Sequence, residues 1–194
     1  IKGNGASAYF RTKDRKTPHN AYASGPKLRQ AIEASGYADA YPESYEGHYT
    51  FAPESAPVCF EDGIAAAKVV PGYQLSNPWF EYHPEDGLYY RYQYGGPHMG
   101  DEGQIAVKNI IFQYCSTGHY ATTEYLNIDV HTSQYGYYIT NGRAIPLSWK
   151  KDGEFGVTHY YDQDHKEIVL NQGKTWVCII PTRDFDKIEI TGKE

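Results

Sequence analysis

Apolar residues recur with a period of two along most of the chain, and turn dipeptides separate the runs, the pattern of strands with one buried face. The runs predict strands at 65–70, 79–82, 88–94, 107–114, 124–130, 137–140, 145–149, 157–161, 167–170, 175–180 and 187–190, eleven as an upper figure. Asp86-Gly87, Asn141-Gly142 and Asp152-Gly153 supply the positive-φ positions of tight hairpin turns, and Asn171-Gln172-Gly173 suits a longer loop. One segment departs from this period: 26–35 reads as a helix, with Ser24 as N-cap, Pro26 in the first turn, Leu28 and Ile32 one turn apart, and Gly36 just beyond the end. The expected fold is therefore α+β and β-dominated, a mostly antiparallel meandering sheet or sandwich with one short helix near the N-terminus. No fixed-period repeat appears, which disfavours a propeller or solenoid.

Between the helix and the strands, 37–57 carries Pro42, Pro53 and Pro57 among tyrosines and acids, and reads as an extended connector with one short strand at 48–51. The division expected on this basis is 1–56 against 57–194. Composition then narrows function. The net charge is −6 over 194 residues, without the basic field that a phosphate backbone demands, so no nucleic-acid partner is expected. Twenty tyrosines, with seven Phe and three Trp, carry too much ring surface for a disordered chain. No apolar run approaches the roughly 20 residues of a membrane-spanning helix. The opening Ile1-Lys2-Gly3-Asn4-Gly5 has no leader character, which is read as a start downstream of a native N-terminus. Cys59, Cys115 and Cys178 form no C-x-x-C pair and are expected as three buried free thiols. The eight histidines show no metal-ligand spacing, so neither metal nor cofactor is expected.

The densest polar stretch runs from Arg91 to Glu102 through Gly95, Gly96, His98, Gly100 and Asp101. His98 three residues before Asp101 suits a carboxylate-oriented imidazole, a general base; equally, the glycines shape a tight corner in which His98 serves the backbone. A second histidine, His19, follows Arg15-Lys16-Thr17-Pro18, where basic residues could grip an anion or merely guard a strand edge, and Asn20 can close a turn. The G-x-S-x-G, P-loop and H-E-x-x-H signatures are absent from the sequence. The tyrosines suggest an exposed amphipathic platform, with Tyr89, Tyr135 and Tyr137 as its candidates, or simple core filling. On the strand 88–94, Tyr90, Tyr92 and Tyr94 share one face, expected in the core. Arg91 shares the other with Tyr89 and Gln93, expected to meet solvent beside His98 and Asp101. Trp149 and Trp176 are expected in the core on neighbouring strands.

Phe10-Arg11 through Arg15-Lys16-Thr17-Pro18-His19-Asn20, Leu88-Tyr89-Tyr90-Arg91 with Gly96-Pro97-His98-Met99-Gly100-Asp101, the strand from Val107 to Gln113 with Asn109, Gly142-Arg143 to Trp149-Lys150, and 167–181 together resemble the YerB-like bacterial lipoproteins. The resemblance covers nearly the whole chain. It implies a two-domain family of unknown biochemical function, held at the outer face of the cell membrane by a lipidated cysteine upstream of this chain. Residues 1–56 would be the tail of its N-terminal domain and 57–194 its C-terminal domain. It names no catalytic residue. The expected function is a binding module for a cell-envelope glycan or protein partner; the alternative is an envelope hydrolase or transferase using His98, Asp101 and His19.

Overall fold

The computed structural model describes residues 8–45, 47–132, 134–154 and 156–192; the chain start at Ile1 to Gly5 lies outside the described residues. Strand accounts for 44% of the residues and helix for 9%, so the fold is β-dominated as the period-two pattern predicts. The chain divides into two compact units, Ile1–Gly47 and His48–Glu194.

In the first unit β1 (Tyr9–Arg11) pairs antiparallel with β2 (Ala21–Ala23). Asn20 closes the intervening loop: it accepts from Arg11 Nη1 at 2.7 Å and donates to the Thr12 carbonyl at 2.9 Å, the turn-closing role its position predicts. Helix α1 (Gly25–Ala34) follows, with Ser24 at its N-cap and Pro in its first turn. Gly36 takes a φ of +66°, the left-handed conformation that ends helices and favours glycine.

The second unit holds two main sheets. The first orders β11 (Ala106–Val107), β7 (Leu88–Gln93), β6 (Trp79–His83), β5 (Lys68–Val70) and β19 (Glu189–Thr191), with β8 (Gly96–Pro97) sharing the outer edge of β7. The second orders β13 (Leu126–Asp129), β12 (Asn109–His119), β14 (Gln134–Thr140), β15 (Arg143–Lys151) and β16 (Thr158–Tyr161). In that sheet β4 (Ile64–Ala65) adds to β15, and β18 (Thr175–Pro181) runs parallel to β12. Short pairs complete the unit: β9 (Met99–Gly100) with β10 (Gly103–Gln104), and β3 (Thr50–Phe51) parallel to β17 (Val169–Leu170). The sheet is thus not a pure meander, because a parallel partner must return by a long crossover.

Val69, Phe80 and Tyr89 of the first sheet pack against Ile110, Phe112, Ile139, Cys178 and Ile180 of the second. The far face of the second sheet buries Ile111, Cys115, Tyr138, Leu147 and Trp149 beneath Leu170, Tyr49, Phe60 and Ile168. Since β12 is covered on both faces, its sequence is a nearly continuous apolar run instead of an alternation. Gly136 is needed beside it: a Cβ there would sit 1.8 Å from the Phe112 carbonyl oxygen.

Two polar residues of β12 face the far core, and both are paired. Asn109 donates to the Asn171 carbonyl (2.7 Å) and Thr175 Oγ1 (3.2 Å), and accepts from Tyr138 Oη (2.8 Å) and the Asn171 amide (3.3 Å). Asn171 in turn bonds both backbone groups of Val58 and Thr140 Oγ1. Tyr160 donates to Gln113 Oε1 at 2.6 Å.

Two expectations need correction. Trp149 is buried, but Trp176 is only partly so, and their strands are not neighbours: β14 and β12 stand between β15 and β18, and the two indoles join different cores. Cys115 and Cys178 are buried thiols, whereas Cys59 is exposed, because it belongs to the irregular segment ahead of β4 and not to a strand.

Candidate functional site

The polar stretch that follows β7 is two tight hairpins in place of an open loop. Tyr94 (φ +53°) and Gly95 (φ +80°) form a two-residue turn between Gln93 and Gly96, and Asp101 and Glu102 turn the chain again between Gly100 and Gly103. Between these corners His98 is held by its backbone, its amide donating to the Arg91 carbonyl and its carbonyl accepting from Ile105, each at 2.9 Å.

The faces of β7 are the reverse of those expected. Tyr89 is fully buried and so belongs to no exposed platform, Arg91 is 8% exposed, and Tyr94, at the turn, is 75% exposed. Tyr90 and Tyr92 point outward: Tyr92 stacks on Trp79 at 4.9 Å and 9°, and Tyr90 donates to Asp86 at 2.7 Å. Lys68 Nζ lies 5.4 Å over the Trp79 ring, so the rings of this column cover one another.

Arg91 projects between the sheets. Its guanidinium lies 4.7 Å from the Trp176 ring and 5.8 Å from Phe80, and stacking on aromatic faces is what admits the charge. Nη1 donates to Gln93 Oε1 at 2.9 Å and to His98 Nδ1. Because arginine can only donate, His98 Nδ1 must be the acceptor, and the imidazole is the neutral form protonated on Nε2. Burial, then the adjacent guanidinium, hold His98 below the ordinary histidine pKa. Nε of Arg91 is sealed from solvent without a partner, a deficit worth about 1–3 kcal/mol for a buried donor. No carboxylate pairs with Arg91 among the described residues. The nearby Cys178 thiol is no counter-ion either, since burial pushes its pKa up to about 12.

Asp101 is exposed at the second turn, without an ion pair to His98, and with Glu102, Lys108 and Lys174 it lines an open cleft of about 550 Å³. Arg15 and His19 are exposed in the hairpin loop of the first unit, Arg15 beside Asp14 at 3.9 Å. An imidazole that accepts from a guanidinium is the opposite of a base raised by a carboxylate.

A second arrangement lies on the second sheet, on the face of β14, β15 and β16 that carries Tyr135. Tyr135, Ser148 and Tyr161 stand opposite one another on these strands, so the two tyrosines flank Ser148 with two strand spacings, roughly 9.5 Å, between their backbones. A shallow cavity of about 270 Å³ lies over the row and includes Lys150, whose Nζ is 5.5 Å from the Tyr161 ring centroid. Tyr135 is 73% exposed. Tyr137, two residues on, is half-buried and packs perpendicular to Tyr114. Sequence reasoning reached Tyr135 and Tyr137; it missed Ser148 and Lys150 as their companions, although the Asp152-Gly153 turn signal between 148–150 and 161 points to that hairpin.

Residues 69–177 match a family model described as protein of unknown function (DUF3048), C-terminal domain. Among solved structures, the crystal structure of the YerB protein from Bacillus subtilis is similar, with a TM-score of 0.71 and 23% sequence identity over 95% of this chain. The chain spans 59% of that protein's length. No curated protein matches.

Proposed function

Because the chain belongs to the family of unknown function defined by the DUF3048 C-terminal domain, we propose that it is an extracytoplasmic binding module, not an enzyme, and that its tyrosine row takes a cell-envelope glycan. On this reading it works at the outer face of the membrane, attached through a lipid anchor outside this chain, as the resemblance to YerB-like lipoproteins suggests. The observation that carries the binding part is the Tyr135–Ser148–Tyr161 row with Lys150. A sugar ring has an apolar C–H face and a polar rim; exposed tyrosine rings offer the first its partner, and hydroxyls and an ammonium meet the second. The Trp79–Tyr92 column is less suited, because its faces are already occupied. The catalytic alternative lacks support from His98, whose Nδ1 is committed to Arg91.

Calorimetric or NMR titration of the chain with soluble cell-wall glycan fragments tests this. Saturable binding is expected, and Tyr135→Ala should weaken it at least tenfold, about 1.4 kcal/mol, while changing stability by less than about 0.5 kcal/mol. Absence of saturable binding, or binding indifferent to Tyr135→Ala and Tyr161→Ala, would refute the assignment.

A further inference from the structure

We propose that the edge of the Arg91 guanidinium formed by Nε and Nη2 is a receptor for a single carboxylate group of a ligand. The two guanidinium edges differ. Nη1 is engaged by Gln93 and His98, which fixes the plane of the group, and Trp176 and Phe80 hold that plane between the sheets. Nε and Nη2 point their hydrogens in one direction, the geometry that a carboxylate accepts with both oxygens. Neither has a protein partner among the described residues; Nε is buried, while Nη2 is not sealed from solvent. Buried donors are almost always paired in folded proteins, so a nine-tenths buried arginine with one complete edge empty is an unfinished site.

The groups around the guanidinium select the ligand class. The neighbours of the cation are neutral: a glutamine amide, an imidazole that must accept, a protonated thiol on Cys178 and the hydroxyl of Tyr73, which donates to the Ile179 carbonyl. One positive charge therefore balances one negative charge, which suits a monocarboxylate and leaves a phosphate dianion undercompensated. Preorganisation by the aromatic walls and by Nη1 lowers the ordering cost of binding.

The test follows the Arg91 Nε–H signal by ¹H–¹⁵N NMR in the full chain, so that it does not depend on a variant folding. Acetate, phosphate and chloride are titrated at matched ionic strength. A saturable downfield shift with acetate, absent with chloride and weaker with phosphate, is the expected result. N-acetylalanine and glucuronate then separate a peptide terminus from an acidic sugar as the source of the carboxylate, by which of them shifts the signal at lower concentration. Arg91→Lys, which keeps the charge and loses the edge, should abolish the saturable response read at the Trp176 indole and the His98 ring. A linear shift equal for all three anions, or an Nε–H that does not respond while exchanging slowly with solvent, would make Arg91 a purely internal staple and overturn the proposal. A preference for phosphate would overturn the ligand class. None of these outcomes depends on whether the tyrosine row binds glycans.

Discussion

Asn109 and Arg91 are both buried polar residues of the second unit, one facing the far core of the second sheet and the other the core between the sheets. Around Asn109 both side-chain polar atoms are paired, and its partners come from two parts of the chain, Tyr138 and the segment of Asn171 and Thr175. Around Arg91 one edge is paired and the other empty. Equal burial therefore has two meanings. A closed network specifies how strands and the loop at Asn171 fit together; an open one leaves a charged group whose best partner is not supplied by the fold.

Variants at the two centres should separate these meanings. Asn109→Ala leaves the Asn171 carbonyl and the Tyr138 hydroxyl proton without their partner in the core, while the Asn171 amide keeps its bond to Tyr138 Oη, and it should destabilise by about 3–5 kcal/mol in urea unfolding. A loss below about 1 kcal/mol would mean that the network is not the tie described. Trp149→Ala should cost a similar amount, about 3–5 kcal/mol, because it opens a cavity and frees the Tyr114 carbonyl. Trp176→Ala, at a partly exposed site, should cost roughly half as much.

Arg91→Leu should change stability by only about 1 kcal/mol in either direction, since an unpaired buried cation is exchanged for apolar volume and the released Gln93 and His98 can reach water. A loss as large as that at Asn109 would move Arg91 into the structural class. The smallest effect concerns pH. The folded pKa of His98 lies below its unfolded value of 6.5, so the unfolded chain takes up a proton first. Its contribution to stability is complete above pH 6.5 and is lost as pH falls from there through the folded pKa. In Arg91→Leu the His98 ring signals should titrate at a higher pH than in the parent, which an NMR titration reads directly.

The legible parts of this fold are those with local causes. Pro26 and Gly36 mark the helix by φ preference, with Ser24 at the N-cap position but without a side-chain cap bond, and Asn141-Gly142 gives both residues the positive φ of a two-residue hairpin turn. The period of β7 was readable as well, because Tyr90 and Tyr92 do share a face opposite Tyr89 and Arg91. Which face is buried was not readable: charge favours solvent for an arginine, and the indole that overturns this preference, Trp176, arrives from β18 far along the chain. Tyr94 is similar. A tyrosine in the left-handed region gives no turn signal, so the sequence pattern runs one residue past the end of the strand. The parallel pairing of β12 with β18 left no mark in either segment, since a doubly covered strand looks equally apolar whatever its neighbour's direction.

That pairing, with the pairing of β5 to β19, sets the order in which the unit can be made. On the ribosome, β12 is synthesised long before β18, and Lys68 waits 123 residues for Thr191. Each main sheet thus receives a strand from far along the chain, so neither sheet is complete until the segment through residue 191 is present. Such long-range closure is intrinsically slow. A nascent chain that stops before residue 175 presents β12 with an open edge and β5 without its outer neighbour, a state with two sites for mispairing instead of one.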